Sequence, residues 1–242
     1  MMQRTLTRAR LFIAMIAAGG STVAGYAMHE HQPFLHPLRF LCFLVAALLT
    51  SRLKLKLPGL NGNMSVNLPV ILVAVATLSL LEALAVACAS TLIQSLPKGR
   101  GKLKPVQVLF NCGNMALAVG LAGLVLHWVP SLGISIPAIL LPPAATAAVL
   151  LAQTVPVATV ISLTEGARVV AVWHRILLLS FPYYLASAGI SSVSAIGRHA
   201  SWLLILLLPM MFMVYCSYRE YFGASSAAVP DAQSMHRAAA GT

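Results

Sequence analysis

The sequence predicts an all-α fold: a polytopic integral membrane bundle of about eight spans, forming one domain over residues 1–222. Of its 242 residues, 59% are hydrophobic and only 9% are charged, whereas soluble domains carry about 25% charged residues. Long apolar runs recur from residue 11 to residue 218, separated by short basic clusters. Such a chain has too little polar surface to cover a soluble globule, so the lipid bilayer is its expected first partner.

The charge and cysteine patterns exclude several other classes. The net charge of +11 comes from short clusters between apolar runs, which is typical of loops facing anionic lipid headgroups. No basic helix or aromatic-interleaved patch indicates a nucleic-acid partner. Four cysteines lie in apolar stretches without a CxxC spacing, which argues against a metal site. Neither HExxH nor GxSxG is present, so we expect no enzyme and no cofactor.

The first apolar run, residues 11–28, follows three arginines at positions 4, 8 and 10. This pattern fits a retained first span or a cleaved signal peptide. The run is longer than a usual signal core and the next span follows almost at once, which favours a retained span. Residues 29–36 read HEHQPFLH. Because Pro33 prevents a regular helix, we interpret them as a solvated external loop rather than a metal site.

The second span is predicted over residues 38–50, and a polar loop follows over residues 51–69. That loop carries Arg52, Lys54 and Lys56, then the turn residues Pro58-Gly59. The next run, residues 66–96, is interrupted only by Glu82. Because it is too long for one crossing and short for two, a tight helical hairpin turning near residues 80–82 fits best. A second basic loop covers residues 97–104.

The remaining elements complete the predicted bundle. A fifth span covers residues 106–128. The run 134–163 contains Pro142, Pro143 and Pro156, which predict a proline-kinked or broken helix. An amphipathic interfacial segment is expected at 169–175, before the last two spans at 176–196 and 202–218. A disordered cytoplasmic tail is expected over residues 223–242, which are rich in Ala, Ser and Gly.

The distribution of cations predicts the orientation. With the N-terminus inside, 14 of the 16 Lys and Arg residues fall on the inner side. Short cytoplasmic loops carry such an excess of positive charge. We therefore expect a multi-pass protein of the bacterial cytoplasmic (inner) membrane, with both termini cytoplasmic.

Eight amides in or beside the membrane are the candidate ligand-binding residues. They are Asn61, Asn63, Asn67, Gln94, Gln107, Asn111, Asn114 and Gln153. One interpretation is that they join helices by hydrogen bonds, since amides in lipid need partners. The other is that they line a polar cavity for an unknown small ligand, reached from the 61–67 loop. Glu82 is either a candidate ion or proton site or an exposed hairpin tip.

Several phrases, taken together, resemble a known module. They are SRLKLKLPGLNGNMSVN, PVQVLFN, TVISLTEG, SFPYYL and YREYFG, all within residues 38–222. In this order they resemble the N-terminal multi-span sensory module of bacterial signalling proteins with GGDEF or HD-GYP output domains. The resemblance implies a membrane-embedded sensing or ligand-binding module. Because no GGDEF or HD motif follows, we expect output through a cytoplasmic signalling partner or a homo-oligomer.

A transport role is the rival hypothesis. Broken helices, a re-entrant polar loop and amides near the bilayer midplane are also features of transporters. The chain would then be a small transporter or a substrate-capture subunit of a transport complex. The absence of an obvious internal repeat weakens this interpretation.

Overall fold

The computed structural model describes residues 2–30, 37–56, 63–96, 104–133 and 137–196, with a few isolated residues between 209 and 220. The predicted last span at 202–218 lies mostly outside the described residues, and the predicted tail at 223–242 lies wholly outside them. The described residues form seven main helices: α1 (Met2–His29), α2 (Pro37–Ser51), α3 (Leu68–Thr77), α4 (Leu80–Ser95), α5 (Pro105–Gly123), α6 (Leu141–Glu165) and α7 (Val169–Ile196).

Among the described residues, four helical stretches are long and apolar enough to cross a membrane. They are Thr7–His29, Pro105–Ser131, Leu141–Glu165 and Val169–Val193. They are candidate membrane spans by length and composition, as expected for a helical membrane protein. The predicted count of about eight spans is not supported in the described part of the chain. The other three apolar helices have only 10 to 16 residues, and α3 at 1.5 Å per residue covers about 15 Å of a roughly 30 Å hydrocarbon core.

The apolar run 66–96 is divided into two helices by a break at Leu78 and Ser79, immediately before the predicted turn. Ser79 caps α4: its hydroxyl accepts from the Glu82 amide at 3.3 Å, and Glu82 Oε2 accepts from the Ser79 amide at 3.0 Å. This reciprocal pair is a capping box, which satisfies two helix-end donors at once. We call Leu78 and Ser79 the helix break.

The basic loop differs from the irregular loop that the sequence predicted. Lys54–Lys56 pairs antiparallel with Asn63–Ser65, with Leu55 opposite Met64. Alternation of cations and leucines from Arg52 to Lys56, followed by Gly- and Asn-rich turn residues, is a hairpin pattern. We call these two strands the basic β-ladder; residues 57–62 lie outside the described part.

The second half of the bundle is more continuous than predicted. α5 passes through a π-helical turn, Leu124–Trp128, into a last short helical turn, Val129–Ser131. Pro142 lies in the first turn of α6, where a missing amide proton has no cost. Pro156 lies inside α6, which runs unbroken to Glu165. The predicted separate interfacial segment at 169–175 is wrong, because α7 is one helix from Val169 to Ile196.

Contacts between α1 and α5 fix their direction. Gly20 lies against Gly113, and Val23 lies against Gly120 further along both helices, so the two helices run the same way. α4 runs against α5, because Leu80 approaches Gly123 while the far end of α4 lies beside the start of α5. The ends of α1, α3 and α5 therefore meet at the helix break. The basic β-ladder leads into the opposite end of α3.

α3 is the most enclosed helix, with eight of its ten residues buried, from Leu68 to Val75. Its first turn is held by α7, where the buried Tyr183 hydroxyl accepts a hydrogen bond from the Leu68 amide at 2.8 Å. The neighbouring Asn67 donates to Ser90 Oγ on α4 at 3.0 Å. The first of these bonds replaces the intrahelical partner that a first-turn backbone amide lacks, and the second joins the start of α3 to α4.

Substituting Tyr183 by phenylalanine should destabilise the protein by about 1 to 3 kcal/mol, because the Leu68 amide would be left buried and unpaired. The free energy of unfolding in mixed detergent micelles measures this loss. Tyr184→Phe is the matched control, since Tyr184 is the neighbouring buried tyrosine of α7, whereas the Leu68 amide bonds to the Tyr183 hydroxyl. Equal losses in the two variants would contradict a capping role for Tyr183.

Candidate functional site

A cavity of about 780 Å³ lies where α1, the helix break and the end of α5 meet. We call it the break cavity. Its wall is mainly apolar, with Val23, Leu121 and Leu124 among its larger side chains. Its polar members are Thr22, Tyr26, Glu30, Ser79 and His127, and Trp128 adds an indole ring.

His127 joins the cavity wall to the helix break. Its Nε2 lies 2.9 Å from the Val75 carbonyl oxygen of α3. In a continuous helix that carbonyl would accept from the Ser79 amide, but the Ser79 amide instead donates to Glu82. Because a carbonyl only accepts, the His127 Nε2 must carry the proton. At the break, the Ser79 amide therefore bonds to a carboxylate of α4, and the Val75 carbonyl bonds to an imidazole that follows α5.

The π-helical turn places His127 where it can make this contact. Within the turn, the Val129 amide bonds to the Leu124 carbonyl, five residues back. Such turns are rare and occur frequently at functional sites. The widened turn contains His127 and Trp128 together, and both line the break cavity.

At the end of α1, Tyr26 donates a hydrogen bond to Glu30 Oε1 at 2.6 Å. The two residues are four apart, so they lie on one helix face. Both line the break cavity. The phenol therefore holds a carboxylate at the cavity rim.

The predicted amides form separate interhelical pairs in the structure. Asn67 pairs with Ser90, and Asn111 donates to Ser95 Oγ at 3.3 Å. Both bonds end on α4. They join α4 to the start of α3 and to the first half of α5.

A third pair joins α5 to α6. Asn114 Nδ2 lies 3.3 Å from Gln153 Oε1, and Gln153 Nε2 lies 3.5 Å from the Asn114 carbonyl and from Met115 Sδ. Asn114 is 2% exposed, and its Oδ1 has no hydrogen-bond partner among the described residues. The pair therefore holds two spans together with one acceptor left unused.

The other predicted residues lie apart from these pairs. Gln94 is half-buried on α4 and Gln107 is exposed at the start of α5. Asn63 is in the second strand of the basic β-ladder, and Asn61 lies outside the described residues. None of the predicted amides that the structure describes lines the break cavity. Their role in ligand binding stays a prediction.

Glu82 is not at an exposed tip, because only 7% of it is accessible. Its Oε2 accepts from both the amide and the hydroxyl of Ser79 at 3.0 Å. The carboxylate therefore has a structural task, and an ion or proton role would have to use the same oxygen or its neighbour.

Sequence reasoning missed the break cavity. Its wall includes Tyr26, Glu30, His127 and Trp128, which lie at the ends of two apolar runs of the sequence. The four-residue spacing of Tyr26 and Glu30 was a usable pattern, but the sequence interpretation assigned Glu30 to an external loop. Among the described residues, no group of three His, Cys, Asp or Glu side chains is placed to hold a metal.

Comparison with protein-family models, with curated proteins and with solved structures gave no match. The resemblance to sensory modules of GGDEF and HD-GYP proteins therefore stays a prediction from the sequence.

Proposed function

We propose that this chain is a non-enzymatic membrane sensor that binds a small ligand in the break cavity and transmits its occupancy through α3 to the basic β-ladder. The observation that carries the proposal is the position of α3. One end of this buried helix is at the cavity, through Val75 and Leu78, and the other end follows directly on the second strand.

α3 suits transmission because it is short and tightly held. Its residues from Leu68 to Val75 are buried, so the helix can shift only if the neighbouring helices move too. Packed interfaces tend to respond to such shifts by switching between discrete arrangements. A ligand beside Val75 that prefers one arrangement would change the population of both.

The expected topology supports a sensor that reads the outside. In the proposed orientation in the bacterial inner membrane, which the distribution of cations predicts, both termini and the basic β-ladder are cytoplasmic. The helix break and its cavity then lie at the outer side. A cytoplasmic partner or a second copy of the chain would receive the output at the ladder.

Transport is the second candidate, and the helix break favours it. Discontinuous helices at a cavity form the binding sites of many transporters. Here the helix break between α3 and α4 lies beside a cavity whose wall includes a carboxylate. In this alternative the chain moves the ligand, or captures it for a transport complex, instead of reporting it.

Filling the cavity tests the sensor proposal. Leu121 lines the cavity and is partly exposed, so Leu121→Trp should occupy the space without a backbone clash. We expect amide hydrogen exchange in residues 63–68 to change by about fivefold or more, the lower end of typical allosteric coupling. Exchange measured by mass spectrometry in lipid nanodiscs reads this directly.

Leu109→Trp is the matched control, because Leu109 is also an exposed leucine of α5 but does not line the cavity. If both variants leave exchange in residues 63–68 unchanged, the coupling through α3 is refuted. Gradient-driven uptake of small organic ions by proteoliposomes holding only this chain, abolished by Leu121→Trp, would support the transporter instead.

A further inference from the structure

The three hydroxyl donors of the break cavity are already in use. Tyr26 donates its hydroxyl proton to Glu30 at 2.6 Å, Thr22 donates to the Gly19 carbonyl at 2.7 Å, and Ser79 donates to Glu82 at 3.0 Å. A hydroxyl has one proton and two lone pairs. These three groups can therefore offer a ligand only acceptor capacity.

His127 follows the same pattern. Its Nε2 proton is directed at the Val75 carbonyl, so a neutral ring leaves only the Nδ1 lone pair. Trp128 is the exception, since its indole N–H is a donor. The residue as a whole is 58% exposed, and an indole face attracts cations more strongly than other aromatic rings.

Glu30 gives the cavity its charge. One oxygen accepts from Tyr26, which leaves lone pairs on both oxygens. No Lys or Arg is among the described residues that line the cavity, and the described residues include no ion pair with Glu30. Glu30 is therefore the one carboxylate on the described wall, and no Lys or Arg of that wall offsets it.

We infer that the ligand is a small organic cation with an apolar body and a primary ammonium group. The ammonium would donate to Glu30 and lie beside the rings of Tyr26 and Trp128, and the apolar body would contact the leucines and valines. This rests on the proposed function and names its ligand class. The cavity volume is within the range of about 300–1,000 Å³ that small-molecule pockets show.

Three probes of similar size but different charge test whether the cavity prefers a cation. They are 4-phenylbutylammonium, 4-phenylbutan-1-ol and 4-phenylbutyrate, measured by equilibrium dialysis against the full chain in phosphatidylcholine nanodiscs, with empty nanodiscs subtracted. The cation should bind about tenfold or more tighter than the alcohol, because a charge-assisted hydrogen bond is roughly twice as strong as a neutral one. The anionic probe, 4-phenylbutyrate, should bind weakest.

Glu30→Gln should remove the preference for the cation, so that the amine and the alcohol bind alike. Glu30 is exposed at a helix end, and unchanged thermal unfolding verifies that the variant is folded. Glu165→Gln is the matched control, since Glu165 is an exposed carboxylate at the end of α6 and does not line the cavity. It should keep the wild-type preference.

The outcomes separate this inference from the proposed function. Equal binding of the three probes, lost in Leu121→Trp, would overturn the cation assignment and leave the cavity as a ligand site. Absence of saturable binding of the amine, or a preference that survives Glu30→Gln, would also overturn the assignment. If in addition Leu121→Trp leaves hydrogen exchange in residues 63–68 unchanged, the proposed function fails as well.

Discussion

Replacing Gly20 with valine should disrupt the contact between α1 and α5 and destabilise the protein by about 3 kcal/mol or more, at or above the upper end of typical overpacking. A Cβ atom on Gly20 would lie 2.5 Å from the Gly113 Cα and 2.6 Å from its carbonyl oxygen. Both are backbone atoms, so no side-chain rotation relieves the clash. The helices would have to separate, which would open the wall of the break cavity between Val23 and Gly120.

Gly25→Val is the matched control in the same helix. A Cβ atom at Gly25 meets no other atom within 4 Å, and valine has a better helix propensity than glycine. Unfolding by sodium dodecyl sulfate in mixed micelles, followed by circular dichroism, compares the two variants. Similar stabilities for Gly20→Val and Gly25→Val would show that the close approach at Gly113 does not hold the helices together.

Glu82→Ala should cost about 1 to 3 kcal/mol, because the capping box loses its carboxylate half and the partly buried Ser79 amide is left unpaired. The substitution removes the acceptor for both the amide and the hydroxyl of Ser79. It also loosens the start of α4 beside the contact between His127 and Val75. Thermal unfolding in detergent measures the loss.

Glu82→Gln separates a cap from a proton or ion site. A glutamine oxygen can still accept from Ser79, so the variant should retain most of the wild-type stability. If Glu82 instead exchanges a proton or binds a cation during function, Glu82→Gln should be stable but inactive in ligand-dependent assays. Equal instability of the alanine and glutamine variants would argue against the capping box as the main role of Glu82.

The helical character and much of the element order could be predicted from the sequence, because apolar runs and basic clusters alternate clearly. The division of residues 66–96 was predictable from the length of the run and from Glu82, which is its one charged residue. The span count was not predictable from hydropathy alone. α3 is apolar because protein surrounds it, and an enclosed helix of ten residues has the composition of a membrane span without its length.

The amides show a second limit. A spacing of four and three residues puts Gln107, Asn111 and Asn114 on one face of α5, but the partners of each amide depend on neighbouring helices. Asn111 meets α4 and Asn114 meets α6, while Gln107 is exposed. The same helical face thus contacts different neighbours along its length. The local sequence pattern does not show which neighbour each residue meets.

The break cavity shows a third limit. It forms where residues far apart in the sequence meet, such as Tyr26, Ser79 and His127. Each has an ordinary explanation in its own segment: a helix-end aromatic, a cap and a histidine near the end of a span. Only the parallel arrangement of α1 and α5 brings them to one wall.

The contact between Gly20 and Gly113 also bears on how the protein is made. The two glycines are 93 residues apart in the chain, from position 20 to position 113. At about 5–20 residues per second, α1 leaves the ribosome roughly 5–19 s before its partner. During that interval α1 exposes its glycine face to lipid or to the insertion machinery. Substitutions at either glycine would therefore be expected to lower the amount of protein that accumulates in cells, since membrane quality control meets the unpaired helix first.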